Sequence, residues 1–142
     1  MRIISINISS KKGTKKKPVN EAFLIQGKGI LNDAHFGHPT RQVSVLSMES
    51  IEKMRSIGIE IYPGDLAENI TVDTSLKHLR LGDTIKIGEA RLKLTQIGKE
   101  CHIYCEIRKL VGKCIMPKEG YFFEVLKGGK IKINDEIEFQ SL

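Results

Sequence analysis

The chain has 142 residues and a mass of 16.0 kDa, with 40% hydrophobic and 28% charged residues and no tryptophan. This is the composition of a folded domain that can bury a core without disulfides, and it excludes a wholly disordered chain and a large aromatic binding platform. The net charge of +6 is local: residues 1–17 hold six of the 23 basic residues and no acid, which leaves 17 basic against 17 acidic side chains elsewhere. Such a distribution suits a phosphate or another small anion at the amino end and disfavours nucleic acid spread over the whole surface.

In chain order, Ile3–Ile8 is an apolar, β-branched run that predicts a strand, followed by a lysine-rich loop up to Pro18. Residues 21–26 and 42–46 predict two further strands. Ser47 is a natural N-cap, Ile51, Met54 and Ile57 recur at helical spacing, and Gly58 is placed to end the helix. Tyr62-Pro63-Gly64-Asp65 predicts a turn, residues 69–72 an extended segment, and residues 73–78 another turn. Residues 84–87 and 91–95 alternate apolar and polar around Gly88-Glu89, the pattern of a hairpin. Residues 102–110 have room for one or two helical turns. Residues 121–126 and 130–139 predict a second hairpin turning at Gly128-Gly129, with a break at Asn134-Asp135. Short strands between Gly, Asn and Asp punctuation indicate a barrel or sandwich rather than alternating βαβ units, within one domain spanning residues 1–142.

The leading segment has neither the apolar core nor the cleavage site of a signal peptide, and no run reaches the eighteen or so apolar residues of a membrane helix. Three cysteines, Cys101, Cys105 and Cys114, fall in one short stretch and there are no others. An odd count without a secretion signal points to the reducing cytoplasm, where thiols stay free, bind metal or react. Lys99, His102, Arg108 and Lys113 supply positive surroundings that favour thiolate. Cys101 and Cys105 are four apart and would share a helix face, which with His102 and Cys114 offers four soft ligands. The spacing matches the usual paired zinc knuckles poorly, and inert buried thiols remain the bland reading.

Other groups suit an anionic ligand. Lys11-Lys-Gly13-Thr14-Lys-Lys-Lys17 joins a glycine, a hydroxyl and several ammonium groups, though without the spacing of a Walker loop. A solvated basic loop is the ordinary explanation of such a run. Asp33, His35 and His38 lie within six residues, and Arg41 follows with a guanidinium fit for bidentate contact. Asn69, after Glu68, offers an amide suited to the edge of a heterocycle.

Taken in order, Lys12-Gly13-Thr14, Gly29-Ile-Leu-Asn32-Asp33-Ala-His35-Phe-Gly37, Arg41-Gln42, Glu68-Asn69-Ile70, Leu81-Gly82-Asp83, Gly98-Lys-Glu-Cys101-His102, Gly112-Lys-Cys114-Ile-Met116-Pro117-Lys-Glu119-Gly120 and Gly128-Gly129 resemble a small stand-alone MOSC domain, the domain also found at the carboxyl end of molybdenum-cofactor sulfurases. The resemblance runs from about residue 1 to 139. Asn32 stands where relatives commonly have Gly, and Asn is the side chain that best tolerates the positive φ such a turn requires.

The resemblance implies a mainly β fold, a closed MOSC-type β-barrel with a few short helices, and a pocket for the molybdenum cofactor or a related molybdopterin. It implies a reactive cysteine, Cys101 or Cys105, that carries a persulfide or ligates molybdenum. It assigns Lys12, Gly13, Thr14, Lys16 and Arg41 to the cofactor phosphate, Asp33, His35 and Asn69 to the pterin, and His102 to the same pocket. No pyridoxal-phosphate domain fits in this chain, so sulfur for any sulfurtransferase-like activity must come from a partner, a cysteine desulfurase, with a molybdoenzyme as recipient. The alternative is a non-catalytic module that stores or delivers the cofactor.

Overall fold

The computed structural model describes residues 1–12, 14–98 and 119–140. Among these residues eleven strands and the helix α1 lie in the order β1 (Ile3–Ile8), β2 (Lys17–Val19), β3 (Glu21–Ile25), β4 (Gly29–Ile30), β5 (Val43–Ser47), α1 (Met48–Ser56), β6 (Ile70–Val72), β7 (Thr84–Ile87), β8 (Ala90–Ile97), β9 (Tyr121–Lys127), β10 (Gly129–Lys132) and β11 (Ile137–Gln140). Eight of them form one sheet in the order β11-β7-β8-β9-β5-β6-β1-β2, and β10-β3-β4 form a second.

The local signals that were strongest in the sequence produce their elements. Ile85 and Ile87 face Leu92 and Ala90 across the β7–β8 hairpin, with these four buried and Lys86, Arg91 and Lys93 outward. Gly88, at φ 60, takes the first loop position, where a two-residue hairpin turn needs positive φ. At α1 the Ser47 hydroxyl accepts the Glu49 amide at 3.1 Å, satisfying one of the helix's free N–H groups. Ile51 and Met54 bury against Leu46, Ile61, Leu66 and Phe122, while Ile57, one residue past the last turn, is 60% exposed.

Strands β5 and β6 are parallel and buried throughout, because α1 and its cluster cover one face while the main core lies on the other. That core joins Ile3, Ile6, Val43, Val45, Ile70 and Phe123 of the large sheet to Leu24, Ile30 and Ile131 of the small one. Each such side chain contributes roughly 1.5–3 kcal/mol by leaving water.

Two expectations are corrected. Neither sheet closes into a barrel: among the described residues, β11 pairs only with β7 and β2 only with β1. Where the chain leading into β11 reaches β1, a single bridge forms, Arg2 to Glu136, with bonds between Ile3 and residues 134–135. The physical reason is that β6 and β2 already flank β1, leaving only its first residues open. There Asn134, left-handed at φ 74, turns the incoming chain before a ladder can form. Likewise the expected β9–β10 hairpin is not a ladder, since β9 pairs with β8 and β5, and β10 with β3. Gly128 is where the chain crosses between sheets, and a Cβ there would lie 2.5 Å from the Leu24 carbonyl oxygen.

Candidate functional site

The loop after β1 and the loop after β4 are locked together by a buried ion pair. Lys16 Nζ lies 2.8 Å from Asp33 Oδ1, both side chains have 0% exposure, and Lys16 also donates to Ser9 Oγ at 3.1 Å. The Ser9 and His35 amides donate to the same carboxylate, and His35 Nδ1 stands 3.6 Å from Oδ2 with no other partner among the described residues. Burial raises the Asp33 pKa, but the His35 and Lys16 side chains and the His35 amide more than reverse it and hold the carboxyl well below the usual range. Asn32, just before, is left-handed at φ 73, the conformation its side chain was expected to tolerate.

This frame presents a cationic cluster. His38 feels the positive charges of Arg41 and Lys12 and the nearby His35; burial first, and then those neighbours, lower its pKa. Its Nδ1 accepts from the amides of Thr40 at 3.1 Å and Arg41 at 2.9 Å, which places the neutral ring's proton on Nε2. Arg41 Nη2, 3.3 Å from Nε2, then sets donor against donor and opposes a charged imidazolium. The exposed charge of the cluster rests on Lys12 and the half-buried Arg41.

The cluster sits next to the root of the cysteine-bearing stretch. Thr95 Oγ1 lies within hydrogen-bond distance of the carbonyls of Thr40 and Phe122, which compete for its one proton, so the His38–Arg41 turn touches β8 three residues before Gly98. The Gly98 amide donates to the Gly120 carbonyl at 2.7 Å, which clips the two ends of that stretch together. On the far side Glu119 Oε1 accepts from Ser50 Oγ at 2.9 Å and Lys53 Nζ at 3.1 Å, tying the returning chain to α1.

Of the residues expected at the site, Arg41, Lys12 and His35 lie close enough to His38 for their charges to act on it. Thr14 is not placed with them: it is half-buried, its hydroxyl donates to the Lys11 carbonyl at 2.9 Å, and it faces a cleft lined by Lys11, Lys15 and Lys17. Lys16 and Asp33 spend their charges on each other. Asn69 is fully buried: its Oδ1 accepts from Ser44 N and Oγ and its Nδ2 donates to the Asn7 carbonyl, so it joins β1 to β5. Gly13, Cys101, His102, Cys105 and Cys114 lie outside the described residues. Among those that are described, no group of three His, Cys, Asp or Glu side chains is placed to hold a metal ion.

Sequence reasoning gave no weight to Glu68, whose carboxyl is wholly buried behind the left-handed Ala67. Burial pushes its pKa up to about 7 against the opposing pull of the Gly64, Glu68 and Leu66 amides and the Thr71 hydroxyl, 3.0 Å from Oε2. Those amides point at the carboxyl without closing a bond of good geometry on Oε1. A buried acid is legible in sequence only through its neighbours, here a tight turn and two β-branched residues.

Together these define a small open-sheet β domain with a cationic cluster beside the end of β8, the strand that precedes the cysteine-bearing part of the sequence. A family model described as "MOSC domain" matches residues 32–138, and the chain belongs to that family, which is associated with molybdenum-cofactor functions. Solved structures share the fold. The YuaD protein from Bacillus subtilis has 21% identity and a TM-score of 0.83, over 99% of this chain and 96% of that one. YiiM from Geobacillus stearothermophilus has 19% identity and a TM-score of 0.74, over 99% and 75%. YiiM from Escherichia coli has 20% identity and a TM-score of 0.72, over 100% and 71%. No curated protein matches the chain by sequence. Among the described residues no helix is long and apolar enough to cross a membrane.

Proposed function

We propose that the chain acts as a single cytoplasmic domain that binds a molybdopterin-type cofactor and handles sulfur or molybdenum through Cys101 or Cys105. Support comes above all from the Thr95–Thr40 contact, which ties the Lys12–His38–Arg41 cluster to the strand leading into the cysteine stretch. The residues present fit the anionic end of such a ligand. Arg41 offers a planar fork for a phosphate, Lys12 adds an exposed charge, and His38, kept neutral, donates from Nε2. Asp33 and Lys16 hold this surface in shape from beneath, and Asn69 braces the sheet below it. The cofactor, when bound, supplies a dithiolene and a metal for which thiolate is a suitable soft partner.

In the sulfur-carrier form of this reading, the Cys101 or Cys105 thiolate attacks the terminal sulfur of a persulfide on a partner cysteine desulfurase. A new S–S bond forms, the partner's cysteine leaves as thiolate, and no oxidant is consumed. His102 and the lysines beside it favour the thiolate. A molybdoenzyme is the expected recipient.

The test is mass spectrometry of the protein after incubation with a cysteine desulfurase and cysteine. One extra sulfur on Cys101 or Cys105, lost in the Cys101→Ser, Cys105→Ser variant, supports the carrier reading. If that variant instead binds and delivers the cofactor as well as the wild type, the protein is a storage and delivery module and the thiols are bystanders.

A further inference from the structure

The lysine loop has a second side. Between the end of β1, the loop and the edge strand β2 lies a cleft of about 570 Å³, a size that suits a small-molecule ligand. None of Lys12, His35, His38 and Arg41 lines it. Its cations are Lys11, Lys15 and Lys17. Lys15 is loosely tied to Asp65 at 4.0 Å, whereas Lys11 and Lys17 are exposed and have no acidic partner among the described residues.

The rest of the lining is not that of a simple basic loop. Ile8, Pro18 and Val19 provide an apolar wall. Pro18 has no N–H, so this edge of the sheet is a poor template for another strand and is left free to receive a ring. Opposite stands Asn32, exposed, with its carboxamide bonded to none of the described residues. A carboxamide carries one donor and one acceptor side by side, the complement of the amide-like edge of a nucleobase.

We propose that this cleft binds a 5′-nucleotide unit. Lys11 and Lys17 take the phosphate, the base lies against Pro18 and Val19, and Asn32 reads the edge of the base. The site does not depend on the cofactor reading. Where both hold, the cleft and the Arg41 cluster, on two sides of one loop, receive the two halves of a pterin dinucleotide.

The experiment is calorimetric titration of the full chain with GMP, AMP, CMP and inorganic phosphate at fixed ionic strength. At least one nucleotide is expected to bind about tenfold or more tighter than phosphate, because ring burial and edge contacts add to the charge term. The Lys11→Ala, Lys17→Ala variant should weaken nucleotide and phosphate alike by about tenfold or more. Asn32→Gly, which keeps the turn because glycine accepts positive φ, should weaken the nucleotide roughly fivefold or more and leave phosphate unchanged. Equal affinity for phosphate and nucleotide, or losses that follow Arg41→Ala instead of the lysine pair, overturns the proposal. So does an RNA oligonucleotide that outcompetes every mononucleotide through a steep salt dependence alone. Molybdopterin binding without nucleotide binding sinks this inference and spares the cofactor reading; the converse result sinks the cofactor reading and spares this one.

Discussion

Asp33 and Glu68 are both buried carboxylic acids with backbone amides directed at them, yet they are held in opposite states. Asp33 has an ammonium group at 2.8 Å and stays ionised, whereas among the described residues Glu68 has amides and the Thr71 hydroxyl around it but no paired cation, and sits near half-protonation at neutral pH. Amide dipoles alone do not offset the loss of water around a full charge, and a partner charge does. The contrast also sorts the lysines. Lys16 is consumed by its pairing with Asp33, so under the proposed function the cations left for a ligand are the exposed ones.

The largest expected effect comes from breaking the paired carboxylate. Lys16→Met strands Asp33 as a lone buried charge and should cost about 3–5 kcal/mol in chemical denaturation. The Lys16→Met, Asp33→Leu double variant should recover a substantial part of that loss. Lys12→Ala, on the same loop but exposed, should stay within about 0.5 kcal/mol of the wild type.

Glu68 should reveal itself through pH. Its folded pKa of about 7 lies above its ordinary 4.5, so the folded state holds a proton that the unfolded chain releases. Its contribution is therefore most favourable below pH 4.5 and is lost as pH rises towards 7, by on the order of 3 kcal/mol. Denaturation at pH 5 and pH 8 should show that loss, and Glu68→Gln should remove most of it. Asp33 works in the other direction: its contribution is complete above about pH 4 and disappears as pH falls further. A smaller effect is expected away from both acids. Gly128→Ala, forced against the Leu24 carbonyl, should cost about 1–3 kcal/mol.

How much of this was legible in the sequence depended on how local each signal is. The β7–β8 hairpin and the Ser47 cap are written in adjacent residues, and Asn32 carried its positive φ openly. Strands β2 and β4, three and two residues long, are too short for alternation to register. Gly128-Gly129 looked like a hairpin turn because a tight turn and a close chain crossing both demand glycine, and only the Leu24 carbonyl distinguishes them. Closure of the sheet depended on whether β1 had a free edge, which its own residues do not reveal. At the site, Lys16 reads in sequence like its neighbours, and burial against Asp33 is a tertiary fact. Asn69 likewise looked available to a ligand until Ser44 and Asn7 took its amide.

The most direct measurement is equilibrium binding of molybdopterin to the wild type, to Lys12→Ala, Arg41→Ala, and to Cys101→Ser, Cys105→Ser. If the cationic cluster and the thiol stretch serve one ligand, the wild type binds and each double variant binds at least about tenfold more weakly, since each loses a charge-assisted or soft-ligand contact. No binding by the wild type, or binding untouched by the loss of both Lys12 and Arg41, would contradict it.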